Sequence, residues 1–171
     1  MSKGLPRSRG RGNPQLGGVQ KKVFHLSALA LSVSAVSTAV GWGTAIANDF
    51  PEGNLQILGV VANLQFTSSG ANITATWTGN FSLGSTPTAD FTLSGTDADF
   101  LASTALAAAT AKVSPVTRGA NGTPFILDNT DGSLELNLNL LIAAATITDD
   151  TTVPVTVTGE IYVAYIVLGD D

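Results

Sequence analysis

Residues 72–83 read NITATWTGNFSL, and their alternation decides the fold class. Ile73, Ala75, Trp77, Phe81 and Leu83 fall on one side of an extended chain, and Asn72, Thr74, Thr76, Thr78, Asn80 and Ser82 on the other. Successive side chains of a strand point to opposite faces, so a period of two predicts a strand with one buried face. Gly79 interrupts the apolar row, which marks a bulge or the close approach of another backbone. Outward from this stretch the logic repeats. Residues 134–142 place Leu134, Leu136, Leu138, Leu140 and Ile142 on one face and Glu135, Asn137 and Asn139 on the other.

Residues 152–168 run longer, with Val153, Val155, Val157, Ile161, Val163, Tyr165 and Val167 in register. From Tyr162 onward the alternate face is apolar too, through Ala164, Ile166 and Leu168. A strand covered on both sides is expected there, inside a sandwich or at a subunit contact. Residues 55–66 and 89–94 are two more candidate strands. Ser69-Gly70, Gly84 to Pro87, Asn121-Gly122, Asp131-Gly132 and Asp149-Asp150 supply turns between the runs, the Asn-Gly and Asp-Gly pairs because they accept positive φ. Asp97 to Lys112 breaks the pattern. Its six alanines after Leu101 and its leading acids suit a short helix, or a loop packed through Phe100, Leu101 and Leu106. The expected fold is all-β: an antiparallel, jelly-roll-like β-sandwich with one short helical insertion and an extended N-terminal arm.

Composition agrees. The 171 residues are enough for one domain, 44% are hydrophobic and 12% are charged, the last about half the usual share. With no cysteine, disulfides and zinc-thiolate sites are excluded, which fits assembly in a cytosol. The charge is segregated. Lys3, Arg7, Arg9, Arg11, Lys21 and Lys22 precede every acid, whereas residues 23–171 hold Lys112 and Arg118 against all 13 acids, two minus 13, a balance of −11. Residues 1–22, rich in Gly and Pro and without apolar periodicity, form a basic arm that alone is unfolded. Residues 23–171 form the β-domain.

Lys21-Lys22 followed by an uncharged run to Ala45-Ile46-Ala47 matches the outline of a secretion signal. Against it, the segment before the run is already about as long as a whole signal, and Ser27, Ser32, Ser34, Ser37, Thr38 and Gly41 dilute the run as in a half-buried strand. The same dilution disfavours a membrane span.

Catalytic parts are scarce. His25 is the single histidine, set among Val23, Phe24 and Leu26 and expected to bond to backbone in a strand; no nucleophile elbow accompanies it. Asp128, Asp131 and Glu135 are the densest acids, but their spacing departs from the calcium loop, and a turn at Asp131-Gly132 accounts for them equally. Asn72, Asn80 and Asn121 match the glycosylation sequon, as chance allows in a chain rich in Asn and Thr. The expectation is a structural protein rather than an enzyme, with no cofactor. The basic arm is its strongest functional signal: fully extended it reaches about 70 Å, and its arginines suit phosphates or an acidic groove on a protein.

Gly41–Ala45 (GWGTA), Asp49–Gly59 (DFPEGNLQILG), Gly84–Asp90 (GSTPTAD), Leu93–Asp97 (LSGTD), Asp128–Asn137 (DNTDGSLELN) and Val167–Asp171 (VLGDD) together resemble small capsid decoration, or cement, proteins of marine tailed bacteriophages. The resemblance covers roughly residues 23–171 and rests on packing and turn residues rather than a catalytic signature. It implies a virion protein assembled in the host cytoplasm, bound to the major capsid protein and to itself as a homotrimer, without membrane association. On that reading Lys3, Arg7, Arg9, Arg11, Lys21 and Lys22 bind the partner, and Phe50, Pro51, Tyr162 and Tyr165 make subunit contacts. Two alternatives stay open. One is a shell-forming jelly-roll coat whose arm meets nucleic acid; the other is a secreted adhesin or carbohydrate-binding module cleaved after Ala47.

Overall fold

The period-two runs become long strands in a computed structural model of the chain, which describes residues 18–33, 41–47, 50–88, 92–148 and 153–169. The strands are β1 (Gln20–Val33), β2 (Gly41–Ala47), β3 (Asn54–Ser68), β4 (Gly79–Gly84), β5 (Leu101–Ala105), β6 (Val113–Asn121), β7 (Phe125–Leu127), β8 (Leu136–Ile142) and β9 (Val153–Gly169). One sheet has the order β1-β9-β3-β6, with the short β7 also paired to β3; the other has the order β2-β8-β4-β5. Every pairing is antiparallel. Apart from the β4–β5 hairpin within one sheet, the chain passes between the sheets in the wrapped order of a jelly roll, with β7 as an addition on the edge of β3 that β6 also uses. This is the expected β-sandwich.

The facing rows fill the core. Leu55, Ile57, Val60, Leu64 and Phe66 of β3 and Val155, Val157, Ile161 and Val163 of β9 meet Phe81 and Leu83 of β4 and Leu136, Leu138, Leu140 and Ile142 of β8, all buried. An aromatic group sits among them. Phe50 packs edge-on against Phe24 and Tyr165 and stacks on Phe100, each with ring centroids 5.9 Å apart. Phe125 meets Phe100 edge-on at 5.8 Å. Such arrangements add to plain burial through the ring quadrupoles.

Several details depart from the alternation. The strand expected over 72–83 begins only at Gly79: Ile73 makes an isolated bridge to Ile147, Ala75 is exposed, and the indole N–H of Trp77 donates to the Lys112 carbonyl at 3.0 Å. Gly79 does mark a close approach, since a Cβ there would strike the Leu141 carbonyl oxygen. Residues 92–94 carry no strand, and 89–91 lie outside the described residues.

The expected helix over 97–112 is absent. Its place is taken by a 3-10 turn at Gly95–Asp97, strand β5, and a tight turn with paired Thr110 and Val113 backbones and positive φ at Ala111 (49°) and Lys112 (68°). The reason is burial. Phe100, Leu101, Leu106 and Ala109 anchor the segment to the core, and their spacing forms no continuous helical stripe, so packing overrides alanine propensity.

The largest departure concerns the polar residues of β8 and β4. Asn137, Asn139 and Ser82 do face away from the core, yet all three are fully buried. The loop after β4 folds back over this outer face of the four-stranded sheet. Asn139 accepts from the Thr88 N–H at 2.8 Å and donates to the carbonyls of Thr86 and Asp97 at 3.0 and 2.8 Å. Ser82 donates to Asp97 at 2.6 Å and Asn137 to Ser85 at 3.3 Å. The Asp99 carboxylate accepts from the Ser85 N–H and hydroxyl at 2.8 and 2.6 Å. The polar row that sequence places in solvent is therefore a fastening for the loop.

Two expectations follow. Removing the three hydrogen bonds of Asn139 in Asn139→Ala destabilises the fold by about 3 kcal/mol, read from the urea midpoint. Burial pushes the Asp99 carboxyl above its usual value, although hydrogen bonds from Ser85 act in the opposite direction. A raised folded-state pKa means stability present at low pH and lost as pH rises through that value. The stability of Asp99→Asn relative to the wild type should therefore improve as pH rises through the Asp99 titration. A difference that is flat with pH in urea unfolding would contradict this.

Candidate assembly surface

The five-stranded sheet turns its other face outward, and cross-strand pairing sets that face in rows. One row is His25, Glu160, Asn63 and Arg118; the next is Val23, Tyr162, Val61 and Ala120. Lys21, Ala164 and Gly59 follow, and then Ile166, Gln56 and Ile126. Alternation along β1, β6 and β9 adds Val19, Val116 and Leu168. These three and Ile126 are the exposed large hydrophobics of the described residues, between 49% and 69% exposed. All four lie on this one face. Single exposed apolar residues are ordinary; several on one sheet face, together with the row Val23, Tyr162, Val61, Ala120, mark an interaction surface.

Its centre is a shallow depression of about 320 Å³, floored by Gly59, Val61 and Ala164 and flanked by Lys21, Tyr162 and Ala120. The Lys21 ammonium lies 4.5 Å from the Tyr162 ring centroid, a cation–π contact. The Tyr162 hydroxyl donates to Glu160 Oε2, and Glu160 Oε1 lies 3.0 Å from His25 Nδ1. His25 is thus a strand residue as expected, but its partner is a carboxylate across the strands rather than backbone. The hydrogen bond to Glu160 is also the main cause that holds the Tyr162 phenol above its ordinary value. The trio is open to solvent, His25 being 70% exposed, and it forms a polar border to the apolar rows.

Of the residues singled out from sequence, Tyr162 lies on this face. Phe50 and Tyr165 do not: each is 5% exposed and committed to the aromatic core, so as subunit contacts they are corrected to core residues. Pro51 is half-buried beside them, its carbonyl accepting from the Asn129 amide at 2.8 Å. Lys21 and Lys22 lie within β1 rather than in a separate arm; Lys22 sits 5.8 Å from the Phe24 ring. Lys3, Arg7, Arg9 and Arg11 lie outside the described residues.

At the acid cluster, Asp128 Oδ1 accepts from the Thr130 N–H and hydroxyl at 2.9 and 2.7 Å, and Asp131 Oδ1 from those of Ser133 at 3.0 and 2.7 Å. These bonds hold both carboxyls below the usual value. They form two turns, and among the described residues no three acid or histidine side chains converge as a metal site would need. No helix of the described residues is long and apolar enough to cross a membrane. Trp77 is 1% exposed and offers no stacking platform for a sugar.

No family model matches the chain, and no curated protein matches it. Among solved structures it is similar to a chain described as "Cyanophage Pam1 capsid asymmetric unit", at 13% identity over 98% of this chain and 96% of that one, with a TM-score of 0.40. So coarse a likeness carries no functional argument, and the chain's own surfaces have to supply one.

The hydrogen bond that raises the Tyr162 phenol has a direct readout. In Glu160→Gln the carboxylate is gone, and the Tyr162 titration followed by NMR should move down toward the ordinary phenol value. An unmoved titration would show that Glu160 does not set it.

Proposed function

We propose that the chain is a structural subunit of a phage particle, a decoration protein that binds and stabilises the assembled head, and that it has no catalytic role. The observation that carries the proposal is the exposed, largely apolar outer face of the five-stranded sheet, on a domain whose own loop covers Ser82, Asn137 and Asn139 of the opposite sheet. A sandwich built this way gains by packing against another subunit of the particle, whether a copy of itself or a neighbour in the shell. The basic residues near the N-terminus supply a second, electrostatic attachment. Lys3, Arg7, Arg9 and Arg11 precede a domain with a large excess of acids, so they suit acidic grooves between shell subunits, and tethering multiplies weak contacts through effective concentration. The resemblance to phage decoration proteins names the shell, the major capsid protein, as the partner and the virion as the location.

Jelly-roll order together with basic residues ahead of the first strand favours a second reading, a shell-forming coat whose N-terminal residues neutralise genome phosphates. Nucleic-acid binding that weakens steeply with salt would mark that role.

Because β1 starts at Gln20, the informative truncation removes residues 2–17 and leaves the strand intact. The shortened chain should keep its urea midpoint and fail to co-sediment with heads stripped of the protein. Undiminished binding to such heads would overturn the attachment role of the basic residues. Loss of nucleic-acid binding instead would favour the coat reading.

A further inference from the structure

The outer face of the five-stranded sheet needs an occupant, and we propose that it is the same face of a second copy, packed sheet on sheet about a two-fold axis parallel to the strands. The rows decide this. Such an axis lays β9 of one copy over β3 of the other and β1 over β6, so each row meets itself reversed. The row Val23, Tyr162, Val61, Ala120 then meets an apolar side chain at every position. In the row above it, Arg118 is exposed and has no ion-pair partner among the described residues. The axis lays it over His25 of the second copy, with that copy's Glu160 one strand away and within reach of its long side chain. By symmetry this charge match is made twice.

An axis running across the strands through the same depression would instead stack Lys21 on Lys21. The parallel axis places Lys21 over Asn121 and Gly122, which border the depression. The rows from Glu160 to Leu168 over four strands span about 27 Å by about 19 Å. That footprint is roughly 500 Å² per copy, so the pair buries about 1,000 Å², the lower bound of a specific interface. The dimer does not depend on attachment to a phage head: a chain that dimerises without binding heads leaves it standing.

The test is sedimentation equilibrium of the full chain with a charge swap. The wild type should approach twice its 17.4 kDa mass. Arg118→Glu and Glu160→Arg should each raise the dimer Kd at least about tenfold, and the double variant should return it to within a few-fold of wild type, because the swapped pair is again complementary. Both positions are at the surface, and unchanged near-ultraviolet circular dichroism confirms the fold of each variant. A wild type that stays monomeric at hundreds of micromolar overturns the proposal. A trimer overturns the two-fold arrangement, and failure of the double variant to recover overturns the Arg118–Glu160 contact.

Discussion

Strand β9 is hydrogen-bonded along both edges, to β1 over residues 153–165 and to β3 over residues 155–169. Both neighbours are thereby fixed in register, and so is everything that the sheet presents on either side. The side-chain period of a strand is two, so a slip of one residue in β9 would move Val155, Val157, Ile161 and Val163 out of the core. The same slip would move Tyr162, Ala164 and Ile166 into it. Inner core and outer face are thus set by one pairing decision. Gly159 is where the constraint is tightest. Its φ of 136° suits glycine, and a Cβ would collide with the Asn63 carbonyl oxygen. The β1 pairing shifts register beside it, between Leu26 and Leu29, so the long strands bend together at this point.

The two sheets solve the problem of their outer faces differently. On the four-stranded sheet, β8 carries asparagines at alternate positions, and Ser85, Thr86, Thr88 and Asp97 of the loop after β4 cover them. Burying amides is unfavourable unless they are bonded. Asn139 satisfies both ends of its amide in that loop, whereas the Asn137 oxygen is left without a partner. Fastening the loop is thus coupled to some polar strain. On the five-stranded sheet the row Val23, Tyr162, Val61, Ala120 is largely apolar, and the polar row His25, Glu160, Asn63, Arg118 borders it. Among the described residues no loop is fastened over these rows. Asn137 and Asn139 hold a loop by their amides, whereas the valines and alanine of the facing sheet give a loop no such hold.

Much of this was legible in sequence, and the misses share a cause. Alternation located β3, β8 and β9 and fixed the inner rows of β8 and β9 correctly, because those positions answer only to burial. The doubly apolar end of β9 was also legible, and it lies on the candidate surface. Alternation does not tell a polar residue in water from one under a loop, so Asn137 and Asn139 read as solvent-facing. It likewise does not tell an aromatic residue at an interface from one in the core; Phe50 lies outside any strand, and only the folded chain brings it to Phe24, Phe100 and Tyr165. The alanines after Leu101 misled for a related reason. Helix propensity is a local quantity, worth tenths of a kcal/mol per residue, whereas seating Phe100 and Leu101 in the core is worth several. Arg118 escaped notice because its significance is relational: it matters through the row it shares with Glu160, and rows exist only once register is known.

Charge segregation gives the assembly its remaining logic. Two copies of a domain with a strong excess of acids repel each other on approach, and the repulsion acts over about 10 Å at ordinary ionic strength. Of the few bases in that domain, Arg118 lies on the outer face, and Lys21 of β1 lies beside the same depression. The approach route to the apolar rows is therefore less negative than the rest of the surface. Salt relaxes the repulsion between the acidic bodies and leaves apolar burial in place, while it also screens the Arg118 contacts of the sheet. It weakens contacts made by Lys3, Arg7, Arg9 and Arg11, which rely on attraction to acidic groups. Contact through the sheet keeps its apolar burial at high salt, whereas the contacts of the N-terminal bases have only charge to rest on, so salt weakens the latter more.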